Sequence, residues 1–165
     1  MLTLRPARLL DRREISQLLR ASYGTLLSGD YARDVIAAAI DTMCDVPPAL
    51  VDTGTYFVAT LGDRIVGAGG WSDQTPDLEP IKPERAALRK LGVDPTVLRQ
   101  GVGSALMSEI HRSACKAGKT WMDCLSSRTA EPFYTALGYE RYGAMRLKTA
   151  RPGLWFDVIK MRRVL

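Results

Sequence analysis

The apolar residues change period along the chain, and each change marks an element. "LTLRPAR" at the start reads as a short first strand stopped at Pro6. From Asp11 to Tyr23, Ile15, Leu18 and Leu19 recur at helical spacing, with Gly24 as a stop. Residues 30 to 43 repeat that pattern through Val35, Ile36, Ala39, Ile40 and Met43, with Asp30 as cap, and "DVPPAL" predicts a loop. "TYFVATLGDRIVGAGGWS" reads as a hairpin, two apolar strands flanking Gly62-Asp63-Arg64.

Residues 73 to 84, "DQTPDLEPIKPE", carry three prolines and four acids and read as a loop. "RAALRKLGV" returns to strand. A helix follows, with Val102, Leu106, Ile110 and Ala114 on one side and Gly118 as its stop. "TWMDCLS" is a strand and "TAEPFYTAL" a short helix ending at Gly138. "YERYGAMRL" and "LWFDVIKMRRV" are the last two strands. The order β-α-α-β-β-β-α-β-α-β-β, without repeat or linker, predicts an α/β (α+β) fold: a mixed sheet with helices on both faces, and residues 1–165 forming a single domain.

Composition narrows the class. A chain of 165 residues with 46% hydrophobic and 25% charged residues fits one soluble core. No apolar run approaches the roughly 20 residues of a membrane span, and the charged N-terminus "MLTLRPARLLDRREI" is no secretory h-region. Cys44, Cys115 and Cys124 are odd in number and lack metal spacing, so reduced thiols, no metal and a cytoplasmic location are expected. The net charge of +5 is scattered along the chain. With neither zinc-finger spacing nor the aromatic pattern of an RNA-binding sheet, no nucleic-acid partner is expected.

One stretch carries chemistry: "VDPTVLRQGVGSALMSEI", residues 93 to 110. The first turn of a helix holds backbone N–H groups without internal partners, and the helix dipole adds partial positive charge there. Gly101 and Gly103 open this helix, Arg99 and Gln100 precede it, and "VGSALM" has no acid to repel an anion. The mouth of the helix is built for an anion. It is not the phosphate loop of nucleotide hydrolases, since no Gly-Lys-Ser/Thr follows, nor the dinucleotide fingerprint, which needs a third glycine. A turn serving only close strand–helix packing is the plainer alternative.

In three places, "LRKLGVDP", "LRQGVGSAL" and "AEPFYTALGYE", the sequence resembles the GCN5-related N-acetyltransferases. The element order is similar to that family's from end to end, and the motifs span roughly residues 87 to 143. The family's turn usually begins with Arg or Gln, where Leu98 stands here. The resemblance implies a mostly antiparallel sheet of about seven strands, splayed between strands 4 and 5. It implies an enzyme moving the acetyl group of acetyl-CoA to a primary amine by direct attack in a ternary complex. A non-catalytic acyl-CoA-binding or regulatory domain is the alternative.

The same resemblance assigns residues. The pyrophosphate falls to the turn and helix mouth, Arg99, Gln100, Gly101, Val102, Gly103 and Ser104. The cofactor's thioester falls to Leu91, Gly92 and Val93, a backbone N–H near them polarising its carbonyl, with Gly92 as the bulge residue. Tyr134 matches the family's acid for the departing thiolate; a thiol of pKa about 8.5 already leaves fairly well, so the acid helps rather than decides. No general base is evident, although a lysine-like acceptor costs about 4–5 kcal/mol to deprotonate at pH 7 and an α-amine about 1.

On the acceptor side the candidates are Trp71, Asp73, Glu79 and Arg89, with Asp77 and Glu84 nearby. The acids draw a cationic amine, whereas Arg89 holds an acceptor carboxylate. The two imply opposite substrates, and both stay open. His111 reads as exposed, Cys124 as an inert buried thiol, and Tyr56, Trp121 and Trp155 as core. The last strand, apolar and ending in cations, offers an edge for a homodimer.

Overall fold

The computed structural model describes residues 1–74 and 81–165. Asp77 and Glu79 of the acidic loop lie outside the described residues. The strands are β1 (Leu2–Pro6), β2 (Tyr56–Leu61), β3 (Arg64–Ser72), β4 (Arg85–Val93), β5 (Trp121–Ser126), β6 (Glu140–Lys148) and β7 (Trp155–Val164). They form one seven-stranded sheet in the order β1-β2-β3-β4-β5-β7-β6. Every neighbouring pair is antiparallel except β4–β5. That parallel pair holds only over Arg85–Ala87 against Trp121–Asp123. Beyond it the strands part, and the sheet is splayed there.

The helices are α1 (Arg12–Leu26), α2 (Arg33–Cys44), α3 (Pro48–Asp52), α4 (Val102–Lys116) and α5 (Glu131–Ala136). Strand alternation sorts them to two faces. Leu106, Met107 and Ile110 of α4 and Tyr134 of α5 pack with Val66, Leu88, Met122, Cys124 and Met161. Ile15, Leu18 and Leu19 of α1 pack on the opposite face against Tyr56, Val58 and Ala68. Ala39 of α2 joins Tyr31, Phe156 and Val158 on that same side. Among the described residues no helix is long and apolar enough to cross a membrane.

Tertiary contacts override several local signals. Gly24 does not stop α1, which continues to Leu26. Asp30 caps nothing: α2 starts from Ala32, and the Asp30 carboxylate accepts from the Thr129 hydroxyl at 2.7 Å. "DVPPAL" forms α3, because Pro48 sits where a helix needs no N–H. Trp155 is 42% exposed rather than core. The final strand offers no free edge: β7 is paired on both sides, and the sheet edges are β1 and β6.

Candidate functional site

The gap begins where β4 leaves β5, and a bulge in β4 lies just beyond. Ala68 pairs with Gly92 and Gly70 with Arg89, so Lys90 and Leu91 together oppose the single residue Gly69. Lys90 takes the strain at φ 48. Gly92 is in register, not the bulge residue. Its missing side chain serves α1 instead, since a methyl there would stand 2.6 Å from the Leu19 side chain.

Three side chains hold the bulge. The Tyr56 hydroxyl donates to the Lys90 carbonyl at 2.8 Å, and the Tyr23 hydroxyl to the Leu91 carbonyl at 2.7 Å. The Lys90 ammonium reaches the other way, to the carbonyls of Thr42 and Met43 at 3.0 and 3.2 Å. It supplies the cation that the last turn of α2 lacks. In a planar trans peptide N–H and C=O point in opposite directions. Fixing the Lys90 and Leu91 carbonyls therefore aims the N–H groups of Leu91 and Gly92 away from the tyrosines.

The run "GAGG" in β3 makes this possible. A methyl on Gly69 would come within 2.6 Å of the Leu91 side chain and 3.3 Å of its Cα. A methyl on Gly70 would stand 2.7 Å from the Tyr56 ring, which crosses β3 at that point to reach β4. The sequence reads Tyr56 only as core, and it points to neither Tyr23 nor the two glycines as part of the site. The available signal was glycine inside an apolar strand, a mark of a bulge or a close approach.

β4 then runs into the turn before α4. The Asp94 carboxylate accepts from Thr96 N at 2.8 Å, forming a short turn over Pro95–Val97. Arg99 at φ 60 and Gly101 at φ 82 follow. Left-handed residues in such a turn gather N–H groups into a concavity suited to anions. Gly101 is the N-cap, and no side chain caps the helix. The first helical bond runs from Ala105 N to Gly101 O, so the N–H groups of Val102, Gly103 and Ser104 have no partner within the helix.

Arg99, Gln100, Gly101 and Ser104 are exposed, while Val102 is buried in the core. Gly103 has a packing reason: a methyl there would meet the Phe133 ring at 3.3 Å. Lys90 and Arg99 are the two non-glycine residues at positive φ among the described residues. Such strain concentrates at functional sites.

Tyr134 lies on the α4/α5 side of the gap. It is 7% exposed, with its ring edge-on to Phe133 and Tyr139. Burial pushes its pKa well above the usual tyrosine value, and the nearby Cys124 thiol adds to this. Cys124 follows the last β5 residue paired to β4, and burial raises its pKa too.

The acceptor-side candidates separate. Trp71 turns into the α4-side core, its indole N–H donating to the Ser113 hydroxyl at 3.0 Å. Asp73 is ion-paired with Lys119 just beyond the end of α4. Glu79 lies outside the described residues. Arg89 remains at the gap, on the face shared with α1 and α2. His111 is half-buried rather than exposed. Its Nε2 meets the Tyr139 hydroxyl at 2.7 Å and its Nδ1 the Arg163 guanidinium at 3.3 Å. Burial, then Arg163, lowers its pKa to about 4.

The chain matches the family model described as Acetyltransferase (GNAT) domain over residues 52–141, more than half its length. Its fold is similar to a GCN5-related N-acetyltransferase from Rhodopseudomonas palustris, with TM-score 0.76, 22% identity, and 99% of this chain and 95% of that one covered. It is also similar to the PaiA N-acetyltransferase of Thermoplasma acidophilum, solved with coenzyme A (TM-score 0.76, 15% identity, covering 100% and 99%). The ribosomal-protein-S18-alanine N-acetyltransferase of Escherichia coli is a further match (TM-score 0.67, 15% identity, covering 99% and 94%).

Proposed function

The chain belongs to the GCN5-related N-acetyltransferase family, and from that premise we propose that it transfers the acetyl group of acetyl-CoA to a primary amine. The observation that carries the reading is the bulged β4. It parts from β5 after Ala87 and ends in an amide-rich turn at the mouth of α4. Cofactor-shaped chemistry fits this geometry. The pyrophosphate meets the turn from Arg99 to Ser104, and the acyl-pantetheine arm lies along β4 in the gap.

The amine attacks the thioester carbonyl directly while both substrates are bound. A backbone N–H within Leu91–Val93 is the donor for the developing oxyanion. The tetrahedral intermediate collapses with expulsion of the thiolate; Tyr134 gives that sulfur its proton, the attacking nitrogen loses one to water, and the phenol is reprotonated from solvent. The phenol is protonated at neutral pH and so has a proton to give, while burial, by raising its pKa, makes it the weaker acid.

The test joins binding to turnover. Calorimetric titration with acetyl-CoA gives a saturable one-to-one isotherm, and a Tyr134→Phe variant keeps that affinity. Its kcat over a panel of amines falls about 10- to 100-fold. An absent isotherm overturns the reading. Tight binding with no turnover on any amine favours the non-catalytic acyl-CoA-binding alternative.

A further inference from the structure

We propose that the acceptor amine also carries a carboxylate, and that Arg89 binds it on the α1/α2 side of the gap. The proposal rests on the acetyl-transfer reading above and names its substrate class. Alternation along β4 puts Ala86 and Leu88 in the α4-side core, and so Arg85, Ala87 and Arg89 on the opposite face. The β4–β5 pairing ends at Ala87 and Asp123. Arg89 is the first side chain on that face beyond the last pair, beside the bulge that frames the thioester.

Its guanidinium is poorly compensated. Nη1 donates to the Ser72 hydroxyl at 3.0 Å and grazes the Gln74 carbonyl at 3.5 Å. Nε is buried without an acceptor, and among the described residues no carboxylate lies within ion-pair distance. Burial lowers the Arg89 pKa from its ordinary value. A half-buried guanidinium without a counter-ion is costly. Its Nη2, which has no hydrogen-bond partner among the described residues, offers charge-assisted donors to a carboxylate.

The surrounding face favours an anion. Across the sheet from β4, Arg162 of β7 stands opposite Asp123, and Lys160 opposite Leu125. Among the described residues of β4, β5, β6 and β7, the carboxylates on this face are Asp123, ion-paired to Arg85 at 3.3 Å, and exposed Glu140, opposite Arg162. On these strands Arg85, Arg89, Lys160 and Arg162 outnumber them, with Lys90 turned to α2. The Arg162 guanidinium is held over the rings of Tyr142 and Trp121 at 4.7 and 5.6 Å, which fixes its charge over the sheet. Asp73, one of the acids that would draw a cationic acceptor, is already ion-paired with Lys119; Asp77 and Glu79 lie outside the described residues. Such a field attracts a carboxylate and disfavours a polyamine.

The experiment compares matched acceptors: several amino acids, each against its own α-carboxamide and its decarboxylated amine. The amide's less basic amine deprotonates more readily, so intrinsic reactivity runs against the acid. Wild-type enzyme prefers the acids in kcat/KM by about tenfold or more, the worth of a charge-assisted hydrogen-bond pair. Arg89→Gln brings the ratio close to one, while the Kd for acetyl-CoA changes less than about twofold. Equal use of acids and amides by the wild type overturns the proposal and needs no variant to fold. So does a variant that lowers both equally.

A second readout needs no turnover. N-acetyl amino acids and their amides are titrated onto the coenzyme A complex, or onto the free protein if acetyl-CoA fails to bind. Binding that requires the carboxylate and is lost in Arg89→Gln upholds the role of Arg89. Equal binding of acid and amide sinks it. Loss of acetyl-CoA binding alone counts against the transfer reading, and this titration then decides Arg89 separately.

Discussion

Lys90 at φ 48 and Arg99 at φ 60 hold the same unusual backbone conformation about nine residues apart, one in the strand at the gap and one in the turn before α4. Around Lys90 everything is tied down. Two tyrosine hydroxyls from other elements take its carbonyl and the next, and its own ammonium caps α2. Arg99 is exposed, and its turn is shaped by Asp94, Thr96 and Gly101 in the same short segment. The bulge is a tertiary construction and the turn a local one. An oxyanion donor must be fixed to within fractions of an ångström, whereas a flexible diphosphate adapts to its cradle.

The largest test removes the bracing from the bulge alone. Tyr23→Phe and Tyr56→Phe delete one hydroxyl each and leave the rings in place. Each leaves a part-buried carbonyl without its partner, at about 1–3 kcal/mol of folding stability or less, measured by urea denaturation. The double variant loses about tenfold or more in kcat, because small misplacements of reacting groups are costly. Its Kd for acetyl-CoA, set by the turn, stays within about twofold. Equal losses of binding and turnover would erase the distinction between the two regions.

The same contrast explains what the sequence let one read. The turn was legible because its cause is local: two glycines, no acid and a helix directly after. The strand order was legible from periodicity and resemblance together. The bulge was misassigned to Gly92 because glycine is the usual residue for strain. Here the strain falls on Lys90, and side chains 34 and 68 residues distant in sequence hold it there. Arg89 was legible as a candidate but not as a choice, since nothing in sequence says that Asp73 is spent on Lys119. His111 was read as exposed from its polar helical neighbours, and its partners Tyr139 and Arg163 come from much later in the chain.

An intermediate effect comes from the far flank of the helix after the turn, where His111 ties α4 to Tyr139 and Arg163. In the unfolded chain this histidine takes up a proton near pH 6.5; folded, it does so only near 4. Between those values the unfolded state binds more protons, so stability falls as pH drops from about 6.5 towards 4. Discounted for a half-exposed ring, the contribution is about 1–2 kcal/mol. His111→Gln flattens that part of a stability-against-pH curve. A slope unchanged in the variant assigns it to other groups.

The smallest effect belongs to Arg99. In an L-residue the left-handed conformation costs about 1–2 kcal/mol, while glycine gives back about 0.5–1 kcal/mol in chain entropy. Arg99→Gly therefore changes stability by about 0–1.5 kcal/mol, in the stabilising direction. The turn keeps its backbone amides, so acetyl-CoA binding survives with only the loss of one exposed charge, about 1 kcal/mol or less at moderate salt. That loss shrinks as salt is raised, which a titration series at increasing ionic strength reads directly. A collapse of binding in Arg99→Gly at every salt concentration would mean that the side chain, not the amide cradle, holds the anion. The turn would then depend on a residue chosen for its charge, and its contrast with the braced bulge would narrow to a difference in burial.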